Sequence, residues 1–188
     1  MRLISRIFTF ACCLVLFAGC SQKVVNQASI IGQTFPYAKL TMYDGSTRIL
    51  AEFKGKMVVV AFWATWCGRS RRAMERLNAY AARTPKSREI AFIAVSIDKL
   101  EDEAELREYL DSGKLRALLP AYSGNEIADE MYLAFQGHEL PYFAVLDRAG
   151  KIVLLTNDDD EVYKLLSPAL NTARMEMRGY NKSGSNRQ

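Results

Sequence analysis

The stretch that decides the fold is residues 57–70, which read MVVVAFWATWCGRS. Its first half, Met57 to Trp63, is a continuous apolar run, and such a run is typical of a β-strand that is buried on both faces. Four apolar residues then recur at helical spacing: Ala73, Met74, Leu77 and Tyr80. The sequence therefore predicts a buried strand that runs into a helix, with Cys67 at the helix N-terminus.

Cys67 stands at a position that supports thiolate chemistry. Unpaired backbone N–H groups and the positive end of the helix dipole favour a thiolate there, and Arg69, Arg71 and Arg72 add positive charge close by. Ser70 follows one turn later, where its amide or hydroxyl is in reach to donate to the sulfur. A free cysteine in a core acts as a small apolar residue, but an arginine-rich first turn implies access to solvent. We therefore expect Cys67 to be a reactive thiol.

Along the rest of the chain, apolar segments typical of strands alternate with segments whose apolar residues recur at helical spacing. They predict a second buried strand over 90–95, two strands over 142–146 and 151–155 that turn at 148–150, and a closing helix marked by Val162, Leu165, Leu166 and Ala169. Strands that alternate with helices and end in a hairpin and a helix indicate an α/β fold around one mixed sheet.

Two segments carry the capping-box pattern, in which a helix-capping residue is followed three positions later by Glu or Gln. They are Asp98 with Glu101, and Ser123 with Glu126. The pattern predicts two helix starts, and the apolar residues that these helices bury are Leu106, Tyr109, Leu110, Ile127 and Met131.

The N-terminus has the features of an export signal. Arg2 and Arg6 lie in its charged start, and residues 7–18 form an apolar run that only Thr9 interrupts. The run is shorter than the roughly 20 residues that span a bilayer, and it has the length of a secretory signal. We therefore interpret residues 1–19 as a signal peptide.

The end of that signal resembles the cleavage box of bacterial lipoproteins, because Phe-Ala-Gly precedes Cys20. The resemblance implies that Cys20 becomes a lipidated first residue and that the lipid anchors the chain to a bacterial membrane on its periplasmic side. Ser21 follows, without the aspartate that signals inner-membrane retention, which favours the outer membrane. An ordinary signal peptide with a chance cysteine, or an uncleaved anchor, remains an alternative.

The cysteine count makes Cys67 unusual. Of four cysteines, Cys12 and Cys13 lie in the signal and Cys20 would carry lipid. Only Cys67 is left as a thiol, so the mature chain can form no internal disulfide although an exported compartment is oxidising.

Composition and charge limit the class of protein. The chain has 188 residues, of which 49% are hydrophobic and 24% charged, enough for one globular domain with a core. We expect a tether over 20–34, the domain over 35–172 and a flexible tail over 173–188. The 25 basic side chains exceed the 21 acidic ones by four, and two of the basic ones lie in the signal. So small an excess gives no support for nucleic-acid binding.

Residues 66–70, WCGRS, resemble the Trp-Cys-x-x-Cys motif of thioredoxins with serine at the second cysteine. The wider context over about residues 34–170 is most similar to the TlpA/ResA-like redoxins, which are related to the AhpC/TSA proteins. The segments that carry this similarity are 53–67, 95–98, 140–143, 146–147 and 150–152, together with Pro36, Leu40 and Asp44-Gly45 upstream. The resemblance implies a thioredoxin-like fold, which is a central mixed β-sheet flanked by helices, with an extra N-terminal β-hairpin.

The resemblance also implies a site. Cys67, Ser70 and Pro141 take the catalytic positions, with Pro141 in a cis peptide bond that faces Cys67 and aligns an incoming peptide. The residues expected to contact the substrate are Trp66, Gly68, Arg69 and Leu140. The partners would be protein or small-molecule thiols and disulfides. No cofactor or metal is implied.

Departures from the family pattern affect the mechanism. Ser70 replaces the resolving cysteine, and Arg69 replaces the proline that is common inside the motif. Ala61 replaces a residue that is often polar or acidic, Ala73 replaces a usually acidic residue, and Glu75 stands where a proline is usual. A dithiol cycle cannot run within this chain, so a mixed disulfide on Cys67 would need an external thiol to resolve it.

Three functions follow from these residues. The first is a monothiol thiol-disulfide oxidoreductase with Cys67 as nucleophile. The second is a non-catalytic thioredoxin-fold binding module. The third is a one-cysteine peroxidase, which is disfavoured because Ala64 stands three residues before the cysteine, where peroxiredoxins have threonine. Cys-Gly-x-Ser also resembles the motif of monothiol glutaredoxins that share an iron–sulfur cluster, but the export signal argues against that reading.

Two other features of the sequence are better explained by a structural role than by a catalytic or metal-binding one. His138 is the only histidine and lies three residues before Pro141, so it is near the expected groove, but a lone histidine is more often a loop residue. Residues 158–161, DDDE, lack the ligand spacing and central glycine of a calcium loop and suit the start of the last helix.

Overall fold

The computed structural model describes residues 30–35, 37–84 and 89–167. The expected signal peptide, lipidated Cys20 and C-terminal tail lie outside these residues, as do Pro36 and Ala169. None of the described helices has the length and apolar character needed to cross a membrane.

Among the described residues, five strands form the central sheet in the order β5-β4-β3-β6-β7. They are β3 Met57–Trp63, β4 Ile90–Ser96, β5 Leu119–Tyr122, β6 Tyr142–Leu146 and β7 Ile152–Thr156. Strands β3, β4 and β5 are mutually parallel, whereas β6 and β7 run antiparallel to their neighbours, so the sheet is mixed as expected. The short strand β5, at one edge of the sheet, was not predicted.

An N-terminal hairpin forms a separate small sheet, which confirms another expectation. Its strands are β1 Lys39–Thr41 and β2 Thr47–Ile49. A bridge between Met42 and Ala121 links the hairpin to β5. The structure thus has the thioredoxin-like layout with an added hairpin.

Helices cover the sheet. The first is α1, Gly68–Arg83, which begins where the sequence predicts and buries Ala73, Met74 and Leu77. Next come α2 Glu103–Asp111 and α3 Glu130–Ala134, each preceded by a 3-10 turn. Residues 159–167 are helical at the end of the described chain, and Val162 and Leu166 are buried there, whereas Leu165 is 37% exposed.

Strand β3 lies at the centre of the core because its two faces bury different sets of side chains. Val58, Val60 and Phe62 point to one face, and Val59, Ala61 and Trp63 to the other. Burial of each large apolar side chain contributes about 1.5–3 kcal/mol. This double burial explains why the run over 57–63 contains no polar residue.

Both capping-box predictions are wrong. Helix α2 begins at Glu103, after a 3-10 turn over Leu100–Asp102, because the Asp98 carboxylate is occupied elsewhere. Helix α3 is capped by Asp129, whose Oδ1 accepts from the amides of Met131 and Tyr132 at 2.9 and 3.0 Å.

Of the five apolar residues that these two helices were expected to bury, one is exposed. Leu106 and Met131 are buried as expected, and Tyr109 and Leu110 are half-buried, but Ile127 is 67% exposed. A pattern that specifies two residues in a window of four recurs easily by chance, and the tertiary contacts of Asp98 and Asp129 decided the outcome.

The segment before the hairpin packs on the domain. Ile30 is buried, the Gly32 amide donates to the carbonyl of Ile152 at 2.8 Å, and the Ile152 amide donates to the carbonyl of Gln33 at 3.0 Å. The described part of the expected tether, residues 30–34, therefore contacts the edge strand β7.

Candidate active site

Cys67 lies between the end of β3 and the start of α1, as the N-cap residue of that helix. Its carbonyl accepts the first helical hydrogen bond, from the amide of Arg71 at 3.0 Å, and its own amide donates to the carbonyl of Ala64 at 3.2 Å. The side chain is partly exposed, and the neighbouring Trp66 is 62% exposed. Cys67 is therefore partly exposed, and its buried portion packs against the core.

The first turn of α1 carries arginines that are close to Cys67 in the sequence, and it contains no acidic residue. Arg69, Arg71 and Arg72 are exposed there. Arg69 donates from Nη2 to the carbonyl of Asn157 at 3.1 Å, which ties the helix start to the loop after β7. Helix-end amides and nearby guanidinium groups are an environment that stabilises negative charge.

Ser70 is fully buried, and its hydroxyl is bound to backbone atoms. Ser70 Oγ donates to the carbonyls of Ala64 at 3.1 Å and Cys67 at 2.9 Å, and it accepts from the Ala64 amide at 3.3 Å. The expectation that this hydroxyl donates to the sulfur is therefore wrong, because its partners in the described structure are main-chain groups. Ser70 holds the loop closed instead.

A second buried side chain holds the same loop from the other side. Asp98 is 0% exposed and follows β4, whose carboxyl end lies beside that of β3. Its carboxylate accepts from the Thr65 amide at 3.0 Å, from Thr65 Oγ1 at 2.7 Å and from Ser96 Oγ at 2.6 Å. Sequence reasoning missed this cluster. The signal was present, because parallel strands end at one edge of a sheet and Ser96 and Asp98 follow the strand next to β3.

The proline segment lies before β6, which is antiparallel to β3 and therefore starts at the edge where β3 ends. The Leu140–Pro141 peptide bond is cis, as the resemblance implies, and Pro141 is buried. Leu140 and Cys67 are both partly buried against the same core cluster. The expectation that Pro141 faces Cys67 stays a prediction.

His138 lies on the same segment and is exposed. Its Nδ1 is 3.2 Å from the carbonyl oxygen of Gln136, its Nε2 is 3.4 Å from a carboxylate oxygen of Glu139, and its ring is 5.3 Å from that of Tyr142. These contacts are those of a loop histidine at the margin of the site.

The position below the active site is apolar, as the sequence indicates. Ala61 is fully buried and pairs across the sheet with Ala94 and Phe143.

Glu75 lies on α1 and accepts a hydrogen bond from the Tyr109 hydroxyl at 2.9 Å. Burial first, and then this hydrogen bond, raises the pKa of Tyr109.

The acidic residues 158–160 start the closing helix and contact α1. Asp158 Oδ1 accepts from the Asp160 amide at 2.9 Å. Arg76 forms ion pairs with Asp159 and Asp160, and the hydrogen bond to Asp160 is the main cause that raises the pKa of Arg76. Helix capping and these ion pairs account for the acidic run.

A cavity of about 290 Å³ lies away from the thiol, at the opposite end of the sheet. Leu50, Phe53, Val58 and Leu146 form part of its apolar lining. Val58 is at the start of β3, whereas Cys67 follows the end of that strand, so the cavity and Cys67 lie at opposite ends of the sheet.

Comparisons with known proteins agree with this geometry. A model of the AhpC/TSA family matches residues 31–155. The thiol-disulfide oxidoreductase ResA of Bacillus thuringiensis subsp. konkukian (strain 97-27) is 26% identical over 123 residues, which make up 65% of this chain and 67% of that protein. The ResA protein of Bacillus anthracis is 25% identical over the same length, with the same coverage.

Solved structures share the fold. The thiol-disulfide oxidoreductase from Bacteroides fragilis NCTC 9343 has a TM-score of 0.61 at 20% identity, over 72% of this chain and 98% of that one. The pneumococcal exposed lipoprotein thioredoxin from Streptococcus pneumoniae strain TIGR4 has a TM-score of 0.52 at 20% identity, over 69% and 97%. At such identities these likenesses establish the thioredoxin fold alone.

The family match spans every strand from β1 to β6, most of β7 and the loop that carries Cys67. The chain therefore belongs to the AhpC/TSA family, as a TlpA/ResA-like protein with the thioredoxin fold.

Proposed function

We propose that this protein carries out thiol-disulfide exchange through the single thiol of Cys67, which forms a mixed disulfide that an external thiol resolves. The observation that carries the proposal is the position of Cys67. It is a partly exposed N-cap cysteine at the end of a central strand, and the helical turn that follows it contains arginines and no acidic residue. The thiol-disulfide oxidoreductases among the relatives support the same chemistry.

The exchange takes two balanced steps. The Cys67 thiolate attacks a disulfide R–S–S–R′, which forms Cys67–S–S–R and releases R′ as a thiolate. A second, external thiolate then attacks the R sulfur, which releases Cys67 as a thiolate and leaves a new disulfide on R. Ser70 takes no part in either step, because a serine hydroxyl is a poor nucleophile and this one is bound to the backbone.

The substrate would approach across the exposed surface beside the thiol. Trp66 offers a large exposed ring, Gly68 leaves room next to the sulfur, and Arg69 adds positive charge. Leu140 and the cis-bonded Pro141 would align the backbone of a protein substrate. The partner classes are therefore protein or small-molecule disulfides and thiols.

A direct test uses the full chain with Cys12, Cys13 and Cys20 replaced by serine, so that Cys67 is the one thiol. We expect the disulfide of an aromatic thiol to release one equivalent of coloured thione and to leave one adduct in the mass spectrum, which glutathione then removes. The matched control Cys67→Ser should release none. A folded chain whose Cys67 accepts no adduct would contradict the proposal.

We further propose that the chain acts on the periplasmic side of a bacterial membrane, with a signal peptide over 1–19 and a lipid on Cys20. The outer membrane is the favoured destination. The exposed lipoprotein thioredoxin among the structural relatives supports an anchored protein of this type. Growth with a labelled fatty acid tests the anchor: the chain should incorporate label, and Cys20→Ser should abolish incorporation.

A second candidate function is a binding module that holds partners without redox turnover. The buried Ala61 and the backbone-bound hydroxyl of Ser70 favour it, because neither can move protons or resolve a disulfide. Partner capture distinguishes the two functions. Cys67→Ala abolishes capture if partners are held as mixed disulfides, and leaves it intact if they bind to the surface.

The one-cysteine peroxidase remains the weakest alternative. Ala64 is buried and offers no hydroxyl to a peroxide, and the hydroxyl of Thr65 donates to Asp98. We expect no consumption of hydrogen peroxide in the presence of external thiol above that of Cys67→Ala.

A further inference from the structure

The loop that precedes Cys67 donates hydrogen bonds to a buried carboxylate, that of Asp98, which lies just after β4. Asp98 is 0% exposed, and its partners in the described chain are three neutral donors, which are the amide and hydroxyl of Thr65 and the hydroxyl of Ser96. Thr65 and Ser96 are also buried, at 1% and 2% exposure. Burial of a carboxylate is costly unless its oxygens receive hydrogen bonds, so this cluster requires explanation.

Ser70 and Asp98 bind the loop before Cys67 at two successive residues. Ser70 binds both backbone groups of Ala64, and Asp98 binds the backbone amide of Thr65. Ser96, which orients the carboxylate, pairs with Trp63 at the last position of the β3–β4 register. The two residues that follow β3 are thus bound on both sides before the chain reaches Trp66 and Cys67.

We infer that Asp98 is a positioning residue for Cys67. By binding Thr65 it determines where the chain leaves β3, and so keeps Cys67 at the N-cap of α1. The inference rests on the proposed function for its chemical meaning, because a reactive thiol is what the loop would serve. The hydrogen bonds of Asp98 among the described residues go to Thr65 and Ser96 and not to Cys67, so its action runs through Thr65.

A second buried aspartate provides a matched control. Asp129 is 5% exposed and accepts from two backbone amides, those of Met131 and Tyr132, and from the hydroxyl of Ser123 at 2.7 Å. It caps α3, and these three hydrogen bonds do not involve the Cys67 loop. Replacement of either aspartate by alanine removes a buried carboxylate with three donors, but only one of them binds the active-site loop.

The experiment compares Asp98→Ala, Asp98→Asn and Asp129→Ala in the full chain that keeps Cys67 as its one thiol. Two rates are measured at one pH on folded protein, the reaction of Cys67 with an aromatic disulfide and its alkylation by iodoacetamide. Thermal unfolding is followed in parallel, so that loss of stability is separated from loss of position.

The asparagine variant separates geometry from charge. Its amide oxygen can still accept from the Thr65 amide, so it keeps the hold while losing the negative charge. We expect Asp98→Ala to react about tenfold more slowly than Asp98→Asn, since a small misplacement of a reacting group is costly. Asp129→Ala should lower the melting temperature yet stay within about twofold of the unmodified chain in rate, because its hydrogen bonds go to Ser123, Met131 and Tyr132 and not to the loop before Cys67.

Equal rates in Asp98→Ala and Asp98→Asn, or equal slowing in Asp129→Ala, would overturn the inference. If Asp98→Ala does not fold, Thr65→Val replaces it, because valine keeps the amide and removes the hydroxyl that donates to Asp98. It should then react more slowly than Asp129→Ala, and an unchanged rate would overturn the inference. Failure of the proposed function has a different signature, in which Cys67 is alkylated in every chain but exchanges with the disulfide in none.

Discussion

The hydroxyl of Ser70 closes a ring with Ala64: it lies 3.1 Å from the Ala64 carbonyl oxygen and 3.3 Å from the Ala64 nitrogen, and both residues are fully buried. In the related motif this position carries the resolving cysteine. Here it carries a side chain that binds the end of β3 to the first turn of α1, so the residue that departs from the family pattern has a structural role.

The Ser70–Ala64 contact predicts a stability cost. Ser70→Ala should lower the free energy of unfolding by about 1–3 kcal/mol, because the buried amide of Ala64 loses its partner. Urea denaturation measures the change. Ser112→Ala is the control, since Ser112 is exposed and its hydroxyl donates to the carbonyl of Tyr109. Equal stability of the two variants would show that the contact contributes nothing.

A cysteine at position 70 should restore an internal resolving thiol. Ser70→Cys places two thiols one helical turn apart at the N-terminus of α1, the arrangement of Cys-x-x-Cys motifs. We expect oxidation to remove both thiols with a mass loss of two hydrogens, and adducts on Cys67 to disappear without added thiol. Ser70→Ala shares the lost hydrogen bonds and should keep its adducts, so persistence of adducts in both variants would refute this prediction.

Removal of the thiol should leave the fold intact. Cys67→Ala is expected to abolish all thiol-disulfide exchange while changing the melting temperature little, because the side chain is partly exposed and makes no capping hydrogen bond. Circular dichroism and the thione-release assay measure the two properties. Exchange that survives in this variant would rule out Cys67 as the nucleophile.

Gly137 has no room for a side chain. A Cβ there would lie 2.1 Å from the ring of Tyr132, itself packed edge-on against Phe62. Gly137→Ala should therefore destabilise the fold by about 1–3 kcal/mol through overpacking.

Gly68 provides the control for that substitution, because the nearest atom to its Cβ position is 3.8 Å away and the residue is helical. Thermal denaturation should show Gly68→Ala as stable as the unmodified chain. A tolerated Gly137→Ala would mean that Tyr132 can move aside.

Two half-buried tyrosines, Tyr80 and Tyr163, predict a loss of stability in alkali. Burial first, and then the charge of Asp159, raises the pKa of Tyr163 above its ordinary value of 10.0, and burial raises the pKa of Tyr80. Because the folded state disfavours the tyrosinate, this stabilisation is complete below pH 10 and declines as the pH rises further. The urea midpoint is measured from about pH 8 to about pH 11, a range that brackets the ordinary pKa of tyrosine. It should fall less steeply with rising pH for Tyr163→Phe than for the unmodified chain. Identical pH profiles would contradict the assignment.

The strands and the first helix could be predicted because their signals are local. The run over 57–63 is apolar throughout since both faces of β3 are buried, and α1 follows with its apolar stripe at helical spacing. Strand β5 gave a weak signal, because Leu119–Tyr122 is four residues long, contains Pro120 and lies at the edge of the sheet. Edge strands need less apolar sequence, and proline is tolerated there.

The capping residues show where local patterns mislead. Asp98 and Asp129 are both buried aspartates that lie shortly before a helix. Asp129 caps α3, whereas Asp98 turns to Thr65, which is 33 positions away. The choice between these roles depends on which donors the fold brings near, and no short window of sequence contains both partners.

The sequence by itself determined the α/β fold, the placement of Cys67 at a helix N-terminus and the absence of a resolving cysteine, because periodicity, strand-to-helix order and residue identity are local properties. Only the tertiary structure decided that Ser70 binds the backbone and that Asp98 holds Thr65. Both roles arise because the fold buries these polar groups beside main-chain atoms that need partners, and a buried hydrogen-bonding group takes whichever partner the packing provides.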